Sequence, residues 1–286
     1  MTKILAIGDF HGKFPKKFEK IIKKEKIDAV ISVGDYPPFH YRKLWFKHCF
    51  AKKDIEMWEI IGKKKYKELI TKDYDMGEVV LKKLNKLPIP VFTVLGNIDY
   101  PKTDDVADSQ RGKKKKSWNW ADKEHTYFKK RLAEYKNIRR FDYSFAKFQG
   151  IVLIGMRGHS FTGRVKSKAF KKHRKIIDKL FKKFKKENKR GKLIFVSHTP
   201  PYNTKLDKIS KKAHPLVAGK HHGSKLARRV INTHQPILNL CGHTHESFGK
   251  DKIKRTICVN TGAAVEGRAA IIILKEKKRP KVKFIK

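Results

Sequence analysis

Two histidines stand two positions apart near the end of the chain, and their placement indicates metal chemistry. They lie in the segment Cys241-Gly242-His243-Thr244-His245, directly after the apolar run 236–240. Two imidazoles at this spacing cannot both face a core, so a polar group is expected to gather them where the strand ends. A divalent cation is the favoured partner, because imidazole is a common metal ligand. The alternative is a surface strand that carries two solvated rings.

Four other short segments also carry ligand-type residues where an apolar run ends. They are Gly8-Asp9-Phe10-His11-Gly12, Gly34-Asp35, Gly96-Asn97-Ile98-Asp99 and His198-Thr199-Pro200-Pro201. Taken singly, such an Asp or Asn is often a turn former or a helix cap, and a lone His is often a hydrogen-bonded surface group. Together with the paired histidines, they supply seven nitrogen and oxygen ligands: Asp9, His11, Asp35, Asn97, His198, His243 and His245. That set contains no thiolate, is too large for one tetrahedral zinc, and suits two divalent ions that share a carboxylate.

Strands that alternate with helices are needed to position these segments. Apolar runs at 3–8, 29–33 and 90–95 predict three buried strands with helical crossovers, and hence a parallel sheet. Ligands of open α/β sheets bind at the carboxyl edge of the strands, which is where the polar segments fall. In the second half, further strands are predicted at 149–155, 193–197, 236–240, 256–260, 269–274 and 282–285, with helices at 167–189 and 223–233.

The stretch 37–87 is longer than a single crossover helix between neighbouring strands requires. Its first part, 37–48, interleaves aromatic residues with bases, and its later part, 55–87, carries apolar residues at helical intervals. We interpret 37–87 as a helical insertion or cap within a single domain that spans residues 1–286.

A second stretch, 101–125, is polar, basic and without periodicity, which is typical of a surface loop. It carries Trp118 and Trp120 beside a run of lysines. Bases next to aromatic rings suit phosphates with stacked nucleobases, so the two tryptophans are candidate substrate-binding residues. In the alternative interpretation, the tryptophans fold back onto the body of the protein.

The charge balance of the chain is strongly basic. Lys and Arg total 71 against 27 acids, which gives a formal net charge of +44. Adaptation to high temperature would enrich Glu along with Lys, and here the acids have not followed the bases. A polyanionic partner such as nucleic acid explains the imbalance better, although lysines that simply fill solvated helix faces are the alternative.

Length and composition predict a protein with one large core. The chain has 286 residues, of which 39% are hydrophobic. No apolar run is long enough to cross a bilayer, and residues 2–7 are too short for the core of a signal peptide. Cys49, Cys241 and Cys258 are scattered and without CxxC spacing, so we expect free thiols. These features favour a cytoplasmic protein without a membrane partner, and they predict no particular oligomeric state.

The motifs, in their order along the chain, resemble those of the calcineurin-like metallophosphoesterase superfamily. The shared pattern reads GD-x-HG, GD, GN-x-D, H-TPP and GHTH, and it spans residues 8–245. Residues 198–202, 223–225 and 240–246 are most similar to archaeal-type predicted phosphoesterases. The resemblance implies an α/β fold, a four-layer α/β/β/α sandwich of two mixed sheets with outer helices.

The resemblance also implies a role for each candidate ligand. Asp9, His11 and His245 would hold one metal ion, Asn97, His198 and His243 would hold the other, and Asp35 would bridge the two. Two cations about 3.5 to 4 Å apart can lower the pKa of a bridging water and hold it in line with the leaving oxygen of a phosphate ester. Mixed imidazole and carboxylate ligation favours manganese, iron or zinc over magnesium.

The implied activity is that of a dinuclear metal-dependent phosphoesterase, which hydrolyses phosphate esters by in-line attack of a metal-bridging hydroxide. Phosphodiesters are the favoured substrates, and the basic composition indicates nucleic acid or nucleotides. Two alternatives stay open. One is a basic nucleic-acid-binding protein that uses this scaffold with weak catalysis, and the other is a phosphomonoesterase that acts on nucleotides or proteins. The complete ligand set favours the enzyme.

The third motif departs from the family pattern. Many members carry a histidine after the asparagine and use it to protonate the leaving group, whereas this chain has Ile98. We hypothesise that His159 is the substitute acid and Arg157 a phosphate clamp, because both follow a strand that should end near the site. The alternative is a loop histidine hydrogen-bonded to backbone. Asn97 has a second candidate role, a catalytic contact from its amide to the phosphate.

Overall fold

The computed structural model describes residues 1–50, 55–99, 118–124, 126–159, 162–187, 192–276 and 278–286, so that residues 101–117 of the predicted basic loop lie outside it. The helices are α1 (Lys17–Glu25), α2 (Arg42–His48), α3 (Met57–Ile61), α4 (Lys63–Asn85), α5 (Asn119–Glu124), α6 (Tyr127–Glu134), α7 (Lys168–Glu187) and α8 (Lys225–His234). The strands are β1 (Thr2–Ile7), β2 (Ala29–Ser32), β3 (Val91–Thr93), β4 (Ile138–Arg140), β5 (Phe145–Phe148), β6 (Ile151–Met156), β7 (Lys192–Ser197), β8 (Leu238–Cys241), β9 (Gly249–Ile253), β10 (Thr256–Asn260), β11 (Ala269–Leu274) and β12 (Lys281–Ile285).

These strands form two mixed sheets of six strands each. The first sheet has the order β12-β11-β1-β2-β3-β4, with β1 to β4 parallel and with β11 and β12 antiparallel to their neighbours. In its centre, Val30 lies opposite Leu5 on one side and Val91 on the other. The second sheet has the order β5-β6-β7-β8-β10-β9, with β6, β7, β8 and β10 parallel. The carboxyl ends of the parallel strands therefore share one edge within each sheet.

Alternating side chains on the strands divide the interior into three apolar cores. Ile4 and Ala6 of β1 belong to the core between the two sheets, whereas Leu5 and Ile7 belong to the core under α1, α4 and α6. On the second sheet, Leu153 of β6 faces the first sheet, and its neighbours in β6 pack under α7 and α8. This alternation is the period of two that a strand imposes. It produces the predicted four-layer α/β/β/α sandwich, which is confirmed.

Most elements predicted from periodicity are present, with small shifts at their ends. The helix predicted at 167–189 is α7. The helix predicted at 223–233 begins later, because Ser224 caps it and its side chain accepts a hydrogen bond from the Ala227 amide at 3.1 Å. The strands β4, β5 and β9 were missed, as were α5 and α6. All three strands lie at sheet edges, where a solvated side allows charged residues such as Lys250 and Lys252 and hides the apolar pattern.

The stretch 37–87 contains α2, α3 and α4. Val80, Leu81 and Leu84 of α4 are fully buried in the core against the first sheet. Much of α4 therefore serves as the crossover helix between the parallel strands β2 and β3, while α2 and α3 are the additional part. The description of this stretch as an insertion or cap stays a prediction.

The structure also bears on two predictions from composition, the state of the cysteines and the character of the helices. Cys49, Cys241 and Cys258 are buried free thiols, as expected from their spacing. None of the helices in the described ranges combines the length and the apolar character that crossing a bilayer requires.

A buried tyrosine ties the ends of β2 and β3 to the loop that carries Asp35. The Tyr36 hydroxyl lies 2.5 Å from Thr93 Oγ1 and 3.1 Å from Ser32 Oγ, and its ring stacks on Phe10 with the ring centroids 5.4 Å apart. Burial raises the pKa of this hydroxyl above its ordinary value, so it stays protonated and can donate. The network therefore joins two strand ends and the first motif at one point.

We expect Tyr36→Phe to lower the free energy of unfolding by about 1 to 2 kcal/mol, because the buried Ser32 and Thr93 hydroxyls lose a partner. Urea denaturation of the two proteins measures the difference. Tyr202→Phe is the matched control, since the Tyr202 hydroxyl forms no hydrogen bond within the described parts of the chain. Equal stability of Tyr36→Phe and the parent protein would contradict the proposed role of the hydroxyl.

Candidate metal centre

The seven predicted ligands all follow parallel strands at their carboxyl ends. Asp9 and His11 follow β1, Asp35 follows β2 and Asn97 follows β3 in the first sheet. His198 follows β7, and His243 and His245 follow β8 in the second sheet. The structure brings these residues together where the carboxyl edges of the two sheets meet.

Asp9, His11 and His245 form the first group of donor atoms, all within 4.8 Å of one another. The Nε2 atoms of His11 and His245 are 3.2 Å apart, and His245 Nε2 lies 3.2 Å from Asp9 Oδ1. Asp9 is fully buried, whereas the two imidazoles are partly exposed. A buried carboxylate with two imidazoles directed at it provides one half of a metal site.

Asp35, His198 and His243 form the second group, also with donor atoms within 4.8 Å. His198 Nε2 lies 3.3 Å from Asp35 Oδ2 and 3.3 Å from His243 Nδ1. The Asn97 side-chain oxygen completes the group, at 2.8 Å from His198 Nε2 and 2.7 Å from His243 Nδ1. Four donor residues therefore converge on one point.

The two groups are direct neighbours. The His243 amide donates to both carboxylate oxygens of Asp9, at 3.1 and 2.9 Å, so a residue of the second group holds a residue of the first. Asp35 contacts both groups, because its backbone carbonyl accepts a hydrogen bond from the His11 amide at 3.2 Å and its carboxylate lies 3.3 Å from His198 Nε2. Asp35 is thus positioned next to both groups, as a bridging ligand must be.

Four of the ligands have a backbone conformation that non-glycine residues rarely adopt. Their φ angles are 52° for Asp9, 46° for His11, 59° for Asp35 and 67° for His243. A non-glycine residue in this left-handed region costs roughly 1 to 3 kcal/mol, and such residues cluster at functional sites. The chain therefore turns sharply after β1, β2 and β8, where these four residues stand.

Two positions in the motifs require glycine, because the backbone there lies too close to a carboxylate to leave room for a side chain. A Cβ at Gly96 would overlap Asp35 Oδ1, and a Cβ at Gly242 would overlap Asp9 Oδ2. The backbone of one motif therefore contacts the carboxylate of another. This contact explains why a glycine precedes Asn97 and His243.

The two carboxylates are ionised despite complete burial. Burial alone would raise the pKa of Asp9, but His245, His198 and His11 together outweigh burial and lower it well below its ordinary value. The same balance, with His198 as the partner, lowers the pKa of Asp35. The centre therefore holds two negative charges that require positive charge nearby.

The histidines of the second group have opposite pKa shifts. Burial disfavours the charged form of His198, but Asp35 outweighs that effect and raises the pKa to about 9. Burial and the nearby His198 lower the pKa of His243 to about 3. The Val33 carbonyl accepts a hydrogen bond from His198 Nδ1 at 2.8 Å, which leaves Nε2 directed at the other donors.

Asp99 fixes the backbone of the loops that carry Asp35 and Asn97. Its carboxylate accepts hydrogen bonds from the backbone amides of Asp35, Tyr36 and Gly96, at 3.0, 2.8 and 2.6 Å. Burial and the charge of Asp35 raise its pKa to about 7. The sequence left the role of Asp99 in doubt because the usual histidine before it is Ile98, and the structure gives it a positioning role.

The donor set fits divalent cations. It comprises four imidazoles, two ionised carboxylates and one amide oxygen in two adjacent groups, with backbone hydrogen bonds that fix several donors. Mixed nitrogen and oxygen ligation of this kind suits manganese, iron or zinc. The fit rests on the chemistry and convergence of the side chains.

Comparison with known proteins identifies the family of the chain. The family model of the calcineurin-like phosphoesterases matches residues 2–247. The chain belongs to this family. The resemblance recognised in the motifs is confirmed, and membership of the family supports a hydrolase that acts on phosphate esters.

Individual relatives support the fold. The uncharacterized protein MJ1162 of Methanocaldococcus jannaschii is 41% identical over 70 residues, which are 24% of this chain and 30% of the length of that protein. A solved crystal structure with 21% identity covers 99% of both chains, with a TM-score of 0.66. The protein TT1561 of Thermus thermophilus is 17% identical, with 99% of this chain and 97% of that chain covered and a TM-score of 0.53. At these identities the two structures show the shared fold.

The segment after β6 packs against the centre of this family member. A Cβ at Gly158 would overlap the Asn97 backbone and the His198 ring, so the backbone at this position approaches the site closely. His159, in contrast, is only 1% exposed, and its Nε2 lies 3.0 Å from the Tyr143 hydroxyl. Its amide also donates to Thr199 Oγ1 at 3.1 Å. The structure thus packs the His159 ring into the interior. The role of Arg157 as a phosphate clamp stays a prediction.

The two tryptophans lie at the start of α5 and pack against the additional helices. Trp118 contacts Trp58 and Trp120, with ring centroids 5.5 and 4.9 Å apart. Lys63 lies over the Trp118 ring at 5.7 Å, and Lys67 lies over the Trp120 ring at 5.9 Å. The interpretation in which the tryptophans fold back onto the protein therefore describes their position, and their substrate-binding role stays a prediction.

Arg42 is a candidate residue of the site that the sequence analysis did not select. Burial is the largest cause of the lowered pKa of His11, and the positive charge of Arg42 acts in the same direction. Arg42 begins α2, is exposed, and lies with its guanidinium 5.6 Å from the Phe46 ring centroid. The sequence feature that could have indicated Arg42 is the alternation of basic and aromatic residues in 37–48.

We expect binding of Mn²⁺ to release protons and to tighten as the pH rises. In the cation-free protein His198 has a pKa of about 9, so it is protonated at neutral pH and must lose that proton before Nε2 can bind a metal. One competing proton raises the apparent affinity up to about tenfold per pH unit, from about pH 6 to about pH 8.

Calorimetric titration in two buffers with different ionisation enthalpies measures the proton release directly. Asp75→Asn, an exposed change on α4, serves as a control for general charge effects. An affinity that is independent of pH over this range would contradict the ion pair between His198 and Asp35.

Proposed function

We propose that the protein is a dinuclear metal-dependent phosphodiesterase. The observation that carries the proposal is the convergence of seven nitrogen and oxygen donors in two adjacent groups, with contacts from Asp35 to both. A protein that only binds nucleic acid has no need for buried, ionised carboxylates surrounded by imidazoles, or for the strained backbone that positions them.

Each donor has a defined role in the proposal. Asp9, His11 and His245 would hold one divalent cation, Asn97, His198 and His243 would hold the second, and Asp35 would be shared by the two. Manganese, iron and zinc are the candidate ions. When bound, two such cations supply Lewis acidity that lowers the pKa of a shared water and offsets the charge that develops on the phosphoryl oxygens.

The protein residues around the cations bind and orient the substrate. Arg157, which directly precedes Gly158, is proposed as a phosphate clamp, since a guanidinium can donate two hydrogen bonds to a phosphate. Arg42, at the start of α2, adds positive charge that acts on His11. The Ile98 amide donates to Asp35 Oδ1 at 3.1 Å and so orients the other oxygen of Asp35 towards His198.

The exterior charge favours nucleic acid or nucleotides as the source of the diester. The protein has a formal net charge of +44 and therefore attracts polyanions. The attraction acts over distances set by the Debye length, which is about 8 Å at physiological ionic strength. The three buried free thiols fit the reducing cytoplasm. A nucleic-acid-binding protein with weak catalysis and a phosphomonoesterase are the alternatives.

We expect hydrolysis of a chromogenic phosphodiester to require a divalent cation, and Asp35→Asn to reduce it to the level of the chelated parent protein. Asn cannot supply the negative charge that two neighbouring cations share. The assay is run with manganese, iron and zinc, with and without chelator, and the bound metal is quantified by elemental analysis.

Asp75→Asn on the exposed face of α4 is the matched control and should retain the parent rate. Absence of turnover of both diesters and monoesters by the parent protein with all three metals would contradict the proposed function. Turnover of monoesters alone would assign the phosphomonoesterase.

The role of His159 as the general acid stays a prediction, and its burial argues against it. To reach a substrate, the ring would have to give up its contact with Tyr143 and leave the interior. A true general acid contributes about 10²- to 10⁴-fold and matters most for a poor leaving group. Because the ring is buried, we expect water to protonate the leaving group.

We therefore expect His159→Ala to lower the rates of an activated aryl diester and of an unactivated dinucleotide by a similar, small factor. Tyr143→Phe, which removes the hydroxyl partner of His159, should behave in the same way. A large loss confined to the unactivated substrate in His159→Ala would restore the general-acid role.

A further inference from the structure

A groove of about 1100 Å³ opens on the side of the protein away from the metal centre. Residues at or before the amino ends of β7, β8 and β10 line it, together with the end of α7, the β9–β10 hairpin and the turn before β12. Among its lining residues are six cations: Lys185, Lys250, Lys252, Arg255, Lys278 and Arg279. Separate segments of the chain thus contribute positive charge to one concavity.

The positive charge of the groove is not neutralised by the protein. Asp251 is the acidic residue among the lining residues. Its two carboxylate oxygens accept hydrogen bonds from the backbone amides of Lys205 and Lys252, at 2.8 and 2.7 Å. Within the described parts of the chain, none of the six cations lies within ion-pair distance of a carboxylate. Burial and the charge of Arg255 lower the pKa of Lys185, which reflects repulsion between cations from different elements.

The concave shape separates this surface from the remaining basic exterior. Lysines such as Lys171, Lys172 and Lys175 are exposed on α7 outside the groove. A concavity lined by one sign of charge focuses the field and concentrates counter-ions more strongly than a convex helix face does. The groove is therefore expected to hold an extended polyanion more strongly than the convex face of α7 does.

The remaining lining residues indicate how a nucleic acid would be held. They are aliphatic, such as Leu193, Ile237 and Ile257, or are prolines and a glutamine, and none of the described residues that line the groove is aromatic. Proteins that bind single strands usually provide aromatic rings on which the bases stack. A groove with cations and no such rings suits a sugar–phosphate backbone whose bases remain paired with the other strand.

The groove and the metal centre lie at opposite ends of the same strand. Leu193 at the beginning of β7 lines the groove, and His198 directly after β7 belongs to the centre. Five residues of strand span about 17 Å, at roughly 3.3 Å per residue. A phosphate bound in the groove is therefore out of reach of divalent cations at the metal centre. It is not the phosphate ester that would be hydrolysed.

We propose that this groove is a docking site for the phosphodiester backbone of a nucleic-acid duplex, separate from the metal centre. Sequence-independent contacts from the six cations hold the duplex, and the metal centre on the opposite edge stays open to its own substrate. The proposal concerns binding and does not depend on the reaction proposed for the metal centre.

The test compares two triple variants that remove the same charge from the surface. Lys250→Gln, Lys252→Gln and Arg255→Gln alter the groove, whereas Lys171→Gln, Lys172→Gln and Lys175→Gln alter the face of α7. Fluorescence anisotropy with labelled RNA and DNA duplexes and with a matched single strand is measured over a range of salt concentrations. Thermal unfolding followed by circular dichroism confirms that both variants are folded.

We expect the groove variant to bind a duplex at least about tenfold more weakly at moderate salt and to lower the slope of log K against log salt by about 2 to 3, since each lost phosphate contact removes about 0.9. The α7 variant should change the affinity by less than about twofold, because its cations lie outside the groove. The rate of hydrolysis of a small chromogenic diester should be the same in both variants and the parent.

Equal weakening in the two variants would overturn the proposal, because it would assign binding to the overall charge. Tighter binding of the single strand than of either duplex, with the same dependence on the groove cations, would overturn the assignment to a duplex. Equal competition by inorganic polyphosphate at matched phosphate concentration would overturn the assignment to nucleic acid. If the parent protein did not hydrolyse the small diester, the proposed function would be contradicted, and the result on duplex binding would still stand.

Discussion

The structure depends on gathering two buried carboxylates and four imidazoles at one junction between two sheets. Asp9 and Asp35 are buried and ionised, which is unfavourable unless positive charge is close. Histidines provide part of that charge, and divalent cations provide it more completely. The sharp turns after the strands, the glycines at points of contact and the support from Asp99 all serve this arrangement. Because each group of ligands takes residues from both sheets, neither group is complete until the two sheets pack against each other.

The convergence of the candidate ligands and the order of the central strands could be predicted from the sequence because both depend on local patterns. Each ligand directly follows an apolar run that is buried on both faces, and such runs identify central parallel strands with few competing interpretations. The carboxyl-edge rule then places the residues that follow them together. The match to a family pattern added the pairing of ligands with ions, which spacing alone does not define.

The parts that could not be predicted depend on contacts between distant segments. Nothing in the neighbours of His159 shows that its ring packs beside Tyr143, and nothing near Trp118 shows that it packs on Trp58. Asp99 is separated from Asp35 by 64 positions, so its hydrogen bond to the Asp35 amide has no local signal. The edge strands β4, β5 and β9 were missed for a related reason, because pairing with one neighbour leaves their sequences free to carry charge.

The division of ligands between the sheets has a consequence for synthesis of the protein. Each group of donors takes residues from both sheets, and the last donors, His243 and His245, follow strand β8. A nascent chain that has exposed only the first strands offers incomplete coordination at either position. The flanking strand β11, which pairs with β1, leaves the ribosome later still. A truncated translation product that ends before β8 therefore lacks two of the seven candidate ligands, and neither group of donors can be complete in it.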